Sequence, residues 1–322
     1  MSPPEHARPL IGIALKVAST LAFTAMATLV KVASARYPIG ELVFFRSFFA
    51  LIPVFVWVGW RGQFPSVFHT PRIGGHLVRS FAGGIAMTCG FTALWLLPIA
   101  DATAIGYASP LMTVIFAVLL LGERVRFYRW TAVVIGLVGV LIILSEYVGP
   151  ESSGVSKGAT LGAMVAVAGA VTGALAATQV RVLVRKESAA TIVVYFSLFT
   201  ALFGLASLPF SLISPSFAWV VPDPADAAIL VVSGIFGGLG QVLLTQSYRY
   251  GDASLIAPFD YTSMIWALAV SFVVFNTWPT PMTLLGTAIV VGAGLFVIFR
   301  EHRLGIERTR AKRAQTPTTP LS

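Results

Sequence analysis

Two stretches of the chain decide the fold: ADATAIGYASPLMTVIFAVLL at residues 100–120 and GDASLIAPFDYTSMIWALAVS at residues 251–271. Each begins with a small residue, Asp-Ala and a hydroxyl residue, and the second follows at an offset of 151 residues. Each also carries a proline early in its apolar run, Pro110 and Pro258. We interpret the pair as an internal repeat rather than as chance similarity between two apolar segments.

The composition restricts the class of protein. Hydrophobic residues make up 57% of the 322 residues and charged residues only 11%, with a mean hydropathy of +0.85. A soluble domain carries roughly 25% charged residues, so a soluble enzyme and a disordered chain are both excluded. Cys89 is the only cysteine, which excludes a scaffold of intrachain disulfides. The composition indicates a protein that crosses the lipid bilayer several times.

The apolar runs predict an all-α polytopic membrane protein with ten transmembrane helices. A run of about 20 apolar residues spans the roughly 30 Å of hydrocarbon as a helix. Segments such as 133–144 are apolar on every side, which favours helices over the alternating strands of a β-barrel. The ten runs lie near 10–32, 39–60, 77–97, 102–121, 130–148, 161–180, 190–213, 227–246, 253–275 and 282–299.

The repeat divides these helices into two halves of five. Because five is odd, the second half must enter the membrane upside down relative to the first, and inverted repeats are common in secondary transporters. We therefore predict one five-helix repeat at 1–148, a second at 149–299, and a basic, disordered tail at 300–322. The substrate site is expected near the midplane, between the two repeats.

The basic residues predict the orientation. With a cytoplasmic N-terminus, 17 of the 22 Lys and Arg residues fall in cytoplasmic segments and three fall outside. Positive charge in short loops marks the cytoplasmic side, so we predict a multi-pass inner (plasma) membrane protein with both termini in the cytoplasm. The net charge of +9 is thereby assigned to topology, and nucleic acid is not expected as a partner.

Three stretches resemble one known family. They are PIGELVFFRSFF, with Glu41 and Arg46; residues 91–125, which end in the LGE of 121–123; and APFDYTSMIWALAV at 257–270. Together they resemble the EamA-type proteins of the drug/metabolite transporter superfamily over 10–145 and 160–299. The Gly-Glu that this family often has after helix 9 is replaced here by residues 275–279, FNTWP.

The resemblance implies ten helices in two five-helix repeats around a central cavity, and transport of small organic metabolites. We predict secondary active export of an amino acid-like compound by alternating access. The alternative is import of a larger nutrient, such as riboflavin or a nucleoside-like cofactor (S-adenosylmethionine). Whether protons are the coupling ion, and whether the chain forms a homodimer, stay open at this point.

Charged residues inside the predicted helices are the first candidates for the substrate pathway, because a charge in hydrocarbon costs several kcal/mol. Arg46 and Asp260 each lie about seven residues into a helix, roughly 10 Å from opposite faces. The difference in depth argues against a direct pair. We expect Asp260 to couple protons or to anchor a substrate ammonium. Glu41 is a weaker candidate, since a carboxylate in the first turn of a helix is stabilised there by the helix N-terminus.

The two prolines are the second signal, because matched helix interruptions mark transporter sites. A proline inside a helix removes a backbone hydrogen bond and frees a carbonyl. Pro110, Pro258 and neighbouring polar side chains therefore join the predicted pathway: Tyr107, Ser109, Tyr261 and, in helix 8, Gln241. Each polar group alone is more often a contact between helices than a ligand contact.

Other ionisable residues receive structural interpretations. Lys16 and Lys31 lie near opposite ends of helix 1 and are expected to snorkel toward water, and Arg79 is expected to anchor helix 3 at the cytoplasmic side. All four histidines fall in predicted loops or tails.

Motifs for catalysis or cofactor binding are nearly missing from the sequence. The GVSKG of 154–158 matches a nucleophile-elbow pattern, but it lies in a predicted outer loop without a preceding strand. We predict no enzyme activity and no cofactor, and an intramembrane enzyme or a non-transporting scaffold stands as the alternative class.

Overall fold

The computed structural model describes residues 9–122, 125–148, 156–183, 187–214, 217–250 and 256–315. Within these ranges every regular element is a helix, which confirms the predicted all-α class. The long helices, in chain order, are α1 (Pro9–Ala33), α2 (Ile39–Phe49), α3 (Leu51–Trp60), α4 (Ile73–Leu96), α5 (Ile99–Gly106), α6 (Ala108–Leu121), α7 (Phe127–Ser145), α8 (Lys157–Leu183), α9 (Ala189–Leu205), α10 (Pro224–Tyr250), α11 (Thr262–Val273) and α12 (Pro281–Gln315).

In the described part of the chain, nine helical stretches are long and apolar enough to cross a membrane. Two of them combine consecutive helices: α2 with α3 forms Ile39–Trp60, and α5 with α6 forms Ile99–Leu121. The tenth apolar stretch, Phe259–Val273, is shorter, and it includes the end of the 3-10 turn Ala257–Tyr261 that precedes α11. The start of the predicted ninth helix, in the run near 253–275, lies outside the described residues.

Prolines explain where the two combined spans are broken. α5 ends at Gly106 and α6 starts at Ala108, so the break falls at Tyr107, three residues before Pro110. The Pro110 ring clashes with the carbonyl four residues earlier, which belongs to Gly106. The break at Ala50, between α2 and α3, likewise precedes a proline, Pro53, by three residues.

Helix pairing follows the two-fold relation between the repeats. The most extensive contacts join α4 to α8 and α1 to α10, that is, spans three and six and spans one and eight. Exchanging the repeats converts the first of these pairs into the second. The next most extensive contacts join α7 to α12 and α2 to α9, that is, spans five and ten and spans two and seven. Each of these pairs joins spans at equivalent positions of the two repeats. Each repeat thus buries its helices mainly against the other repeat.

Small residues allow the closest of these approaches. Where α7 crosses α12, a Cβ added to Gly286 would lie 2.5 Å from the carbonyl oxygen of Gly139. A Cβ added to Gly162 of α8 would lie 2.7 Å from the Cβ of Leu96 in α4. Both distances are below van der Waals contact, so glycine sets the separation of the helices. This is the close packing expected of small residues in a membrane bundle.

The orientation of the bundle remains a prediction and can be tested directly. A reporter fused after Phe299 should be active only if it functions in the cytoplasm, because the basic residues place that end inside. Matched fusions in the 217–223 segment should be active only with a periplasmic reporter. Periplasmic activity after Phe299 would contradict the predicted topology.

Candidate functional site

An ion pair joins the first repeat to the second. Lys16 of α1 approaches the Asp260 carboxylate to 2.5 Å, with the lysine side chain 2% exposed and the aspartate 51% exposed. Asp260 lies in the 3-10 turn Ala257–Tyr261, where the interrupted helix starts. The partner of Asp260 is thus Lys16 and not Arg46, in agreement with the depth argument. The lysine is enclosed by the bundle, while the carboxylate faces open space on one side.

Two tyrosines meet beside this ion pair. The rings of Tyr107 and Tyr261 are 5.3 Å apart in an edge-to-face arrangement, and the Tyr107 hydroxyl shares a hydrogen bond of 2.7 Å with Ser263. The structure therefore brings together the break in the α5–α6 span and the start of α11. One side chain from each repeat forms this contact, at the two interrupted helices.

Hydroxyl groups extend the same cluster onto α1. The Oγ1 atoms of Thr20 and Thr262 are 2.9 Å apart, and the Trp266 indole donates to Thr20 Oγ1 at 3.2 Å. We call this set the tyrosine cluster; its members are Lys16, Thr20, Tyr107, Asp260, Tyr261, Thr262, Ser263 and Trp266. It offers a carboxylate, several hydroxyls and aromatic faces within one region.

Four other residues predicted for the pathway, Ser109, Pro110, Pro258 and Gln241, are not members of this cluster. Ser109 faces α8, with its Oγ 3.5 Å from the Cβ that Gly173 lacks. Pro110 is exposed, so it shapes the backbone and contributes little to an interior surface. Pro258 belongs to the 3-10 turn that carries Asp260, and its side chain lies outside the described residues. Gln241 of α10 is half-buried.

Glu41 adjoins a cavity at the other end of the bundle. Its carboxylate is 1% exposed and accepts the Val220 N–H at 3.0 Å. Val220 also lines a cavity of about 950 Å³ between the α1–α2 connection, α4 and α9. Most of the lining is apolar, including Val43, Trp95 and Phe203. Glu41 thus joins Val220 to α2 at the end of the bundle predicted to face outward.

A second ion pair closes the rim of this cavity. Arg36 and Tyr37 both hydrogen-bond to Asp226, at 3.0 and 2.9 Å. Burial, together with this hydrogen bond, raises the pKa of Tyr37 to about 12, so the phenol stays protonated and donates. The α1–α2 connection is thereby fastened to the start of α10.

Three interpretations of ionisable residues were wrong. Lys16 does not reach water but is buried against Asp260. Arg79 is not a surface anchor, because its guanidinium lies 3.6 Å over the Phe196 ring with Nε and Nη1 buried. His76 lies inside α4, which begins at Ile73, and is fully buried. Distance from the end of a helix did not reveal which neighbouring helix each side chain faces.

Lys31, at the predicted outer side, contacts the C-terminal end of α4. Its ammonium donates to the carbonyls of Leu94 and Leu97, both at 2.6 Å, at the end of α4. A cation there satisfies carbonyl groups that the helix leaves unpaired. Close by, the buried Asp101 accepts a 2.5 Å hydrogen bond from Tyr147, and Lys31 is within electrostatic range of Asp101.

The described residues contain no group of three or more His, Cys, Asp and Glu side chains placed to hold a metal ion. The tyrosine cluster offers ion-pair, hydroxyl and aromatic contacts, placed where the two repeats meet at interrupted helices.

The chain is similar to one known protein family along most of its length. The EamA-like transporter family matches the chain twice, over residues 10–145 and 160–300. The chain belongs to the EamA-like transporter family. The two matches correspond to the two five-helix repeats and confirm the resemblance to the drug/metabolite transporter superfamily. Family membership also identifies the chain as a membrane transporter.

Curated relatives of this EamA-like transporter have different cargoes. An S-adenosylmethionine uptake transporter of Rickettsia bellii (strain RML369-C) is 28% identical, over 91% of this chain and 95% of the relative. A pseudopaline exporter of Pseudomonas aeruginosa (strain UCBPP-PA14) is also 28% identical, over 88% of this chain and 94% of the relative. The two names differ in both cargo and direction.

A solved structure supports the fold. It superimposes with a TM-score of 0.63 at 22% identity, covering 91% of this chain and 98% of the other. At that identity the match concerns the fold alone.

Proposed function

We propose that this protein is a secondary active transporter of an amino acid-like metabolite and that the tyrosine cluster lies on its transport path. The Lys16–Asp260 ion pair carries the proposal, because its two charges come from different repeats and meet at an interrupted helix. Alternating access moves the repeats relative to each other around a site at their interface. A contact between the repeats at that place can change with each transport step.

The ion pair suggests how a cargo would be recognised. A substrate ammonium group entering the cluster would compete with the Lys16 ammonium for the Asp260 carboxylate. Asp260 is half exposed and accessible, whereas Lys16 is enclosed. The hydroxyls of Tyr107 and Ser263 offer hydrogen bonds, and the tyrosine faces offer cation–π contact to a bound cation. The same carboxylate could instead carry a proton, which keeps proton coupling as the second role.

Gradient or exchange energy is the expected driving force, since the sequence has no nucleotide-binding motif. Export is our first candidate for direction. Import of S-adenosylmethionine is the second, because an uptake transporter for that compound is among the relatives that match over nearly the full length. S-adenosylmethionine carries an amino acid group on a nucleoside, so both candidates share the ammonium and carboxylate that the proposal requires.

Flux measurements in proteoliposomes test this function. The purified protein would be reconstituted and offered labelled amino acids, S-adenosylmethionine and riboflavin, with a pH gradient in either direction. If one proton is coupled electroneutrally, a gradient of one pH unit should accumulate the cargo about tenfold. The Asp223→Asn variant is the control and should accumulate the cargo like the wild type, because Asp223 is an exposed acid at the rim of the cavity. Riboflavin-only transport would contradict the amino acid-like cargo, and no flux across the panel would contradict the proposal.

A further inference from the structure

Two arginines of the bundle, one buried and one half-buried, have no anionic partner among the described residues. Arg46 of α2 is 3% exposed; its Nε–H donates to the Met26 sulfur at 3.4 Å, a weak acceptor, and Nη1 has no hydrogen-bond partner. In Arg79 of α4, Nε and Nη1 are buried and also without a hydrogen-bond partner. Several strong donors are therefore directed into the protein without an acceptor in the described part of the chain.

The two guanidinium groups belong to one region of the bundle. Arg46 lies between α1 and α10: its Nε is 2.9 Å from the Cβ position that Gly237 leaves vacant. The Arg79 side chain extends one turn along α4, because its Nη1 lies 3.0 Å from the position that a Cβ on Gly83 would occupy. The helices that carry the arginines, α2 and α4, pack against each other and against α9, which places the two positive charges within electrostatic range, where they repel. A pair of like charges in the interior is unfavourable unless an anion joins it.

Protein carboxylates near the arginines are engaged elsewhere. Glu41 shares α2 with Arg46, but it accepts the Val220 N–H and lies about 140° around the helix. Glu187 accepts a 2.6 Å hydrogen bond from Thr70 and faces His76 at 3.8 Å. The ion pairs formed within the described ranges involve Lys16, Arg36 and His76, and neither Arg46 nor Arg79. Leaving a buried charge without compensation is strongly unfavourable, so an anion that joined the arginines would stabilise the folded state.

A guanidinium group is suited to carboxylates, because its planar fork donates two parallel hydrogen bonds. We propose that Arg46 and Arg79 form a carboxylate-binding site and that it holds the carboxylate of the transported metabolite. This inference rests on the proposed function. The tyrosine cluster would then recognise the ammonium end of the cargo and the arginine pair its carboxylate, either together or at successive steps of transport.

The first test uses acetate and needs no knowledge of the cargo. Full-length protein in lipid nanodiscs would be heated in sodium acetate, sodium chloride or sodium phosphate at equal ionic strength. Acetate should raise the melting temperature above its value in chloride, since a ligand that binds only the folded state stabilises it. Equal effects of acetate and chloride would indicate a structural anion, and a larger effect of phosphate a phosphate site. Either result would overturn the proposal.

Variants test whether acetate acts at Arg46 and Arg79. Arg46→Gln and Arg79→Gln should each abolish the difference between acetate and chloride. Arg46→Lys keeps the charge but loses the fork, and should lose the preference for acetate. Arg61→Gln, at an exposed arginine, is the control and should keep it. If both glutamine variants fail to fold, Arg46→Lys decides alone, and an acetate preference that survives in it would overturn the site.

The second test connects the site to transport. Binding of S-adenosylmethionine would be compared with binding of its decarboxylated analogue. Arg46→Gln should weaken the acid about tenfold and leave the affinity for the analogue unchanged, as expected when only one partner of a charge-assisted contact is present. Equal losses for both compounds would show that Arg46 only supports the structure. If wild type binds neither compound, the S-adenosylmethionine candidate fails, while the acetate test still decides the site.

Discussion

Asp260→Asn is expected to abolish transport driven by a pH gradient, so that the accumulation of about tenfold expected for one pH unit is lost completely. The variant keeps the size of the side chain but removes both the carboxylate that faces Lys16 and any proton it carries. A fully buried ion pair loses roughly 3–5 kcal/mol when one partner is removed. Because Asp260 is half exposed, water screens part of this loss, and we expect a cost of about 2 kcal/mol. The folded protein should therefore remain measurable in liposomes.

Counterflow exchange separates the two roles of Asp260. If the carboxylate couples protons, exchange of labelled for unlabelled cargo should persist in Asp260→Asn while accumulation is lost. If it anchors the ammonium, both assays should weaken together. Asp260→Glu retains the charge and is the matched control. Transport like that of wild type from about pH 5.5 to 8 would eliminate both roles.

Lys16 provides the reciprocal experiment. Lys16→Met removes the competing ammonium while keeping an unbranched apolar side chain. The double variant Lys16→Met/Asp260→Asn removes both charges and should be more stable than Asp260→Asn alone, because no ammonium is left buried without this carboxylate. Recovery of stability without recovery of transport would assign Asp260 to function. Recovery of both would mean that the pair serves packing only.

The repeat allowed the architecture to be predicted, because apolar length and the offset of 151 residues are properties of the sequence itself. It also indicated that the interrupted helices matter, and Tyr107 and Tyr261 do contact each other. Backbone consequences of proline are local, so the break at Ala50 was predictable by the same reasoning from Pro53, although it was not predicted.

Contacts between side chains of distant helices could not be predicted from the sequence. Lys16 and Asp260 are 244 positions apart, and their contact depends on how α1 is rotated against the second repeat. The interior position of Arg79 likewise depends on α9, which supplies Phe196. Depth in the membrane can be read from position along a helix. The direction of a side chain around the helix is set by tertiary packing, and a single sequence of nearly uniform apolar helices contains little information about it.

The second large effect is expected from a single methyl group in α12. A Cβ placed on Gly294 would overlap the Tyr261 hydroxyl and lie 3.1 Å from Cε2 of the same ring. The nearest atom is the tip of a side chain, so the fold can survive by moving the ring. That ring also packs against Tyr107, which is hydrogen-bonded to Ser263. Displacing it should disturb the contact between the two interrupted helices.

Gly294→Ala is therefore expected to reduce the transport rate at least about tenfold, corresponding to a strain of about 1–3 kcal/mol in the tyrosine cluster. Gly292→Ala is the matched control on the same helix, because an added Cβ there meets nothing within 4 Å. Both proteins should be inserted into the membrane with similar yield, and their initial flux is then compared. Adding Tyr261→Phe to Gly294→Ala removes the overlapping hydroxyl but leaves the ring in close contact, so only partial recovery is expected. If Gly294→Ala transports as fast as Gly292→Ala, the position of Tyr261 does not matter for transport, and the path must be sought away from the tyrosine cluster.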